Sequence, residues 1–156
     1  MSLSRVVVAS PVGRWVVEGD ADGLTRLYLP KEKVSLTEGV VPTSVRRAAT
    51  QLEQYFRRDR QNFEVDLHSV GTEFQQAVWL ELAAIPYGQV RSYGEVAASV
   101  GRPNAYRAVG NANGKNPWPI FIPCHRVVAA TGVGGYAGGL NVKRFLLELE
   151  GVSTYS

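Results

Sequence analysis

Apolar and polar positions follow two different periods along this chain. Arg5–Ala9, Trp15–Glu18 and Leu24–Leu29 are short runs rich in β-branched and apolar residues. Pro11-Val12-Gly13 and Gly19-Asp20-Ala21-Asp22-Gly23 separate them as turns, which predicts a small antiparallel sheet. The period then lengthens. Val45, Ala48, Ala49, Leu52, Tyr55 and Phe56 recur every three or four positions, predicting a helix from about 43 to 57. Phe63-Glu64-Val65-Asp66-Leu67 alternates again and reads as a last strand. Trp15, Tyr28 and Phe56 are assigned to the core, and His68 is a structural boundary histidine. No catalytic pattern stands out in this third of the chain.

His68-Ser69-Val70-Gly71 reads as a linker, placing a domain boundary between 68 and 69. Beyond it, Thr72 with Gln75 forms a capping box for a helix over Glu73–Ile85, ended by Pro86-Tyr87-Gly88. Ser92 with Glu95 repeats the device for a short helix, Tyr93–Val100. Gly101 supplies a left-handed stop, and Pro103 forbids continuation. Asn104 is the expected cap of a third helix, from Ala105 to about Ala112. Two short helices joined by a tight turn make a helix-turn-helix candidate, although such hairpins also serve as plain packing units. A final helix is expected from about Asn141 to Glu150, with Phe145, Leu146 and Leu147 inward. The predicted class is α+β: a small N-terminal α/β domain with an antiparallel sheet over 1–68, then a mainly helical, winged-helix-like domain over 69–156.

Charge adds information that the periods do not. The 156 residues carry a formal +3, unevenly spread. Residues 86–147 hold seven Arg and Lys against Glu95 alone, while the segments on either side are net acidic. A one-signed segment suits an anionic partner, nucleic acid first, with a basic surface lacking any partner as the alternative. No run approaches a membrane span, and the N-terminal apolar run is too short for a secretory signal. With Cys124 alone there is no internal disulfide and no multi-cysteine zinc site. A cytoplasmic protein with no metal, no cofactor and no membrane partner is expected.

The chemistry concentrates at Asn116-Pro117-Trp118-Pro119-Ile120-Phe121-Ile122-Pro123-Cys124-His125-Arg126-Val127. An apolar run delivers the single cysteine to a turn, with histidine and arginine directly after it. Positive charge and a histidine favour the reactive thiolate. A buried structural cysteine is the alternative, weakened by the polar residues beside it. Gly132-Val133-Gly134-Gly135-Tyr136-Ala137 formally fits a relaxed dinucleotide fingerprint. It lies too near the end for the second strand and acidic residue that fingerprint requires, and reads instead as a loop shaping a small pocket.

Pro123-Cys124-His125-Arg126-Val127 resembles the active-site motif of the O6-alkylguanine-DNA alkyltransferases, the methylated-DNA–protein-cysteine methyltransferases. Gly71–Gln76, Ile85–Gly88, Ser92–Glu95, Arg107–Gly110, Asn116-Pro117, Gly138–Leu140 and Lys143 stand in that family's order, so the resemblance covers residues 71–151 densely. It implies direct-reversal repair, in which the alkyl group of O6-alkylguanine passes irreversibly to Cys124 after minor-groove binding and base flipping. It further implies that His125 takes the thiol proton through a water, that Glu150 orients His125, and that Asn116 fixes the turn. Tyr93 would donate to the departing guanine, with Lys143 a further candidate for that task. Arg107 would fill the stack, and Ser92, Ala105, Tyr106, Gly110 and Arg126 would join it at the DNA. Pro119, Val127, Tyr136, Ala137 and Gly138 would form the base pocket. The partner implied is double-stranded DNA read without sequence specificity by a monomer; O4-alkylthymine as a second substrate and cooperative assembly stay open. Tyr106 departs from the small residue usual at its position. A non-catalytic sensor of alkylated DNA would lack the cysteine, and a helix-turn-helix regulator would not need it.

Overall fold

The computed structural model of the chain describes residues 2–155. They form two compact units that meet between Ser69 and Val70. In the first, β1 (Ser4–Ser10), β2 (Gly13–Asp20) and β3 (Gly23–Tyr28) pair as an antiparallel sheet in the order β1-β2-β3. α1 (Thr43–Phe56) packs on it and seals Trp15, Val17, Leu24 and Leu27 beneath Val45, Ala48, Leu52 and Tyr55. The register shifts between Glu18 and Gly19. A side chain at Gly19 would place its Cβ 2.5 Å from the Gly23 carbonyl oxygen, so glycine is required for the close approach. Glu18 is buried, yet its carboxylate accepts from Arg5 Nε, Thr25 Oγ1 and Tyr28 OH. Both carboxylate oxygens are therefore satisfied inside the unit.

Residues 63–67 do not form the expected strand. One parallel bridge, Leu24 to Leu67, is all the pairing there. The Gln51 side chain takes the main chain of Glu64 instead, accepting its N–H at 2.9 Å and donating to its carbonyl at 3.1 Å. A side chain on α1 thereby does what a neighbouring strand would have done. His68 lies 2.8 Å from Asp20 through its ring nitrogen, a structural contact within this unit.

In the second unit α2 (Glu73–Ala83) carries the complete Thr72–Gln75 capping box and ends two residues before Ile85. β4 (Arg91–Ser92) leads into α3 (Tyr93–Ser99), which carries the Ser92–Glu95 box. Gly101 adopts φ +79°, the left-handed stop. Asn104 is not the cap of α4 (Tyr106–Gly114). Arg102–Ala105 closes a turn, with the Ala105 N–H donating to the Arg102 carbonyl at 2.9 Å, so Ala105 becomes the cap position and makes no side-chain bond. α4 consequently starts one residue late and runs past Ala112. A three-residue 3-10 turn, Cys124–Arg126, precedes β5 (Val127–Val128), which pairs parallel with β4. The chain closes with α5 (Leu140–Leu149). Phe145 is only half-buried; the inward face of α5 is Val142, Lys143, Leu146, Leu147 and Leu149.

The packing of α2 on α4 matters most for the site. Trp79 stacks edge-on against Trp118 at 5.8 Å and donates its indole N–H to the Ala112 carbonyl at 2.8 Å. This ties the C-terminal turn of α4 to α2 and to the segment that leads into Cys124. Together the units give the α+β architecture that the residue pattern implies. No helix among the described residues is long and apolar enough to cross a membrane.

Candidate active site

The approach to Cys124 is irregular main chain pinned by side chains. Asn116 donates its amide to the Ile122 carbonyl at 2.8 Å and accepts from the Trp118 N–H at 3.0 Å, closing residues 116–122 into a loop. Ile120 sits inside it at φ +71°, a conformation costly for a β-branched residue. Its side chain is buried, which holds it there. From α4, Asn113 donates to the Cys124 carbonyl at 3.3 Å. The cysteine's own peptide is thus fastened to the second helix of the helix-turn-helix pair. Nothing in the sequence singled out Asn113.

Cys124, His125 and Arg126 are all buried. This departs from the expectation that polar neighbours make a poor interior. The reason is Glu150, at the cap of α5, also buried. Its Oε2 lies 2.7 Å from His125 Nε2 and accepts from Arg126 Nη2 at 3.0 Å, while Oε1 accepts from Arg126 Nε at 2.8 Å. Arg126 also donates to the Ile85 carbonyl at 2.6 Å and lies over the Tyr87 ring. Arg126 is therefore not a DNA contact. Its guanidinium faces inward and neutralises a carboxylate 24 residues away, where the sequence displays only a basic residue in a basic segment.

Burial lowers the proton affinity of His125, against the pull of Glu150. Burial pushes Glu150 the other way, but hydrogen bonds and charges from His125 and Arg126 outweigh it and hold the carboxyl well below the usual range. The result is a neutral imidazole beside an ionised carboxylate. A carboxylate only accepts, so Nε2 carries the proton and Nδ1 keeps a free lone pair. Nδ1 is buried and has no hydrogen-bond partner. His125 is thus poised as a base.

Burial also raises the Cys124 thiol above its ordinary value, partly offset by Asn116, Tyr136 and the charge of Lys143. The resting thiol is protonated and needs a base on demand. Lys143 comes in from α5, fully buried, and donates to the Val127 carbonyl at 2.6 Å and the Gly135 carbonyl at 2.9 Å. Burial brings this ammonium down to about 8. Tyr93, the first residue of α3, donates to the same Gly135 carbonyl at 3.4 Å, with Lys143 Nζ 6.0 Å from its ring centre. Gly134, at φ +76°, lies close against Tyr93: a Cβ there would approach the ring and hydroxyl to 3.0 Å. The glycine loop is therefore folded down on Tyr93 and Lys143.

Cys124, His125, Glu150, Asn116, Tyr93, Lys143, Val127 and Tyr136 are joined by these contacts. Pro119 and Gly138 are buried nearby in sequence and Ala137 is exposed. Tyr106 and Arg107 are exposed on the first turn of α4, Ala105 caps it, and Gly110 packs toward the Tyr93 ring. The Ser92 hydroxyl accepts from Glu95 as the cap of α3. With Arg126 and Lys143 buried, the exposed charges of 86–147 reduce to Arg91, Arg102, Arg107, Lys115 and Arg144 against Glu95. Among the described residues no group of three His, Cys, Asp or Glu could hold a metal ion.

Comparison with known proteins agrees in a single direction. A family model described as 6-O-methylguanine DNA methyltransferase, DNA binding domain, matches residues 73–152. A methylated-DNA–protein-cysteine methyltransferase from Methanosarcina acetivorans is 45% identical over 150 residues, covering 93% of this chain and 96% of the relative. The crystal structure of the Mycobacterium tuberculosis O6-methylguanine methyltransferase aligns at a TM-score of 0.85 and 41% identity, over 99% of this chain and 95% of that one. That organism's OGT in complex with DNA aligns at 0.84 and 44% identity, over 96% and 93%.

Proposed function

The chain belongs to the 6-O-methylguanine DNA methyltransferase family, and from that premise we propose how its own residues carry the reaction. The activity is that of a methylated-DNA–protein-cysteine methyltransferase, DNA repair by alkyl transfer. The acceptor is Cys124, used once. Residues 69–156 bind DNA and take the alkyl group; residues 1–68 are a structural domain. Exposed Arg91, Arg102, Arg107, Lys115 and Arg144 meet phosphates of a duplex of any sequence. α3 and α4 enter the minor groove, with Ser92, Ala105, Tyr106 and Gly110 at the contact.

A carbon on guanine O6 inside a duplex is out of reach of a buried sulfur, so the base is extruded. Arg107 fills the gap it leaves. The base enters a pocket walled by Pro119, Val127, Tyr136, Ala137 and Gly138. His125 Nδ1 takes the thiol proton through a bridging water, and Glu150 stabilises the imidazolium. The thiolate attacks the alkyl carbon; the carbon–sulfur bond forms as the carbon–oxygen bond breaks. The electron pair leaves on guanine, where Tyr93 donates and the Lys143 cation stabilises developing charge. The product is a thioether and an intact guanine. No group around Cys124 can hydrolyse a thioether, so each molecule acts once.

The observation that carries this reading is the geometry at the single thiol. It is buried beside a neutral histidine whose free nitrogen is enclosed and whose other nitrogen is held by the Glu150–Arg126 pair. Intact-mass analysis after reaction with O6-methylguanine DNA tests it. One CH2 unit per chain, on the peptide containing Cys124, is expected. Multiple turnovers, or transfer that survives Cys124→Ser, would overturn it.

A further inference from the structure

Among the described residues, three buried side-chain atoms have no hydrogen-bond partner: Asn113 Oδ1, His125 Nδ1 and Tyr136 OH. All three belong to groups around Cys124. Clustering of unmet polar atoms at one place is a mark of function. Asn113 is anchored through its amide nitrogen and His125 through its other ring nitrogen. The Tyr136 hydroxyl has no such anchor. It is a donor enclosed on every side, with the Cys124 sulfur as its interacting neighbour.

The other donors near the sulfur divide their hydrogens with main-chain carbonyls. The Asn116 amide gives one N–H to the Ile122 carbonyl at 2.8 Å and has its second left for the sulfur. Lys143 Nζ is held by two carbonyls, at 2.6 and 2.9 Å. We propose that Tyr136 is a catalytic residue rather than only a pocket wall: its hydroxyl donates to the Cys124 sulfur as the thiolate forms. This rests on the reading of Cys124 as the acceptor. Burial and the neighbouring sulfur hold the Tyr136 phenol well above its ordinary range, so it stays protonated and remains a donor throughout the reaction.

The donor has two opposing effects. It stabilises the thiolate, so more of the protein is in the reactive form at neutral pH. It also binds the electron pair that must attack, so each thiolate is less nucleophilic. With a Brønsted coefficient near 0.4–0.5, a tenfold loss of thiolate is met by an about threefold gain in reactivity per thiolate. The Tyr136→Phe variant should therefore react about three- to fourfold more slowly below the thiol's titration, and about threefold faster above it, for each tenfold lost. The two pH profiles cross. A pocket wall that merely loosened would lower the rate at every pH.

Single-turnover alkylation by free O6-alkylguanine base, followed from pH 6 to 11, reads the profile without DNA binding or flipping. Thiolate absorbance reads the titration directly, since Cys124 is the only thiol and Cys124→Ser supplies the blank. The other ionisable groups around the sulfur are His125 on its own turn, Lys143 and Glu150 from α5, and Tyr93 from α3. They remain in both proteins, so the comparison isolates position 136. Site-specific 3-fluorotyrosine at 136, a stronger donor, should move the thiol titration the opposite way and guards against a misfolded Phe variant. Crossing profiles and opposed shifts support the proposal. An unmoved thiol titration, or uniform slowing, overturns it. Transfer to a residue other than Cys124 in the unaltered protein would instead fail the underlying reading, whatever the Tyr136 variants do.

Discussion

Glu150→Ala is the most revealing single change. The carboxylate accepts four hydrogen bonds, from His125 Nε2, from Arg126 Nε and Nη2, and from the Gly88 N–H at 3.2 Å. Its removal leaves the Arg126 guanidinium buried without a counter-charge, with the Ile85 carbonyl as its remaining hydrogen-bond acceptor. Breaking a buried pair from one side costs about 3–5 kcal/mol. For a chain of this length that is a fall in Tm of about 6–20 °C. The double variant Arg126→Met, Glu150→Ala removes the orphaned charge and should recover much of the loss. Urea denaturation with wild type, both single variants and the double closes the cycle. Alkyl transfer by the single variant should also slow, within the roughly 10²–10⁴-fold that a positioned base supplies.

The pH dependence follows from the same network. His125 is held below its ordinary 6.5, and Glu150 below its ordinary 4.5. In both cases the unfolded chain binds the proton more readily than the folded one. The stability from the network is therefore complete above about pH 6.5 and is lost as pH falls, through His125 first and then Glu150 below pH 4.5. A loss below 1 kcal/mol in Glu150→Ala, or a double variant less stable than the single, would refute the reasoning.

Arg107→Ala, compared at saturating protein, should slow transfer from duplex DNA much more than transfer from free base; equal slowing would remove the flipping role. Tyr106, half exposed on α4, should stack in the groove, so Tyr106→Ala weakens duplex binding by about 1–3 kcal/mol in a titration, whereas tighter binding would mean the ring obstructs. With five exposed cations in residues 86–147, log affinity should fall against log salt with a slope no steeper than about −4.5, and equally for unrelated sequences. A consensus emerging from a randomised-site selection would contradict that.

What was legible in the sequence was local. Both capping boxes join residues three apart, and both formed; the three strands and the glycine stop after α3 are set by neighbouring turns. What was illegible was decided at long range. The alternation of 63–67 looks like a strand because nothing in those residues reveals that Gln51 claims their main chain. Arg126 looks like a phosphate ligand until α5 brings Glu150 beneath it. The resemblance named the nucleophile's surroundings, but burial, which sets every protonation state there, came only with the fold. Asn113 belonged to neither source: its role depends on α4 passing behind the Cys124 carbonyl.

The grip on the glycine loop has a practical side. Tyr93 and Lys143 both hold residue 135 by its carbonyl oxygen, a group every amino acid has. The position itself is exposed, and a Cβ added there meets no other atom within 4 Å. Residue 135 can thus be exchanged for a side chain carrying a non-thiol label while both tethers stay in place. A fluorophore there would report any movement of the glycine loop against Tyr93 and Lys143, leaving the thiol as the protein's single reactive sulfur.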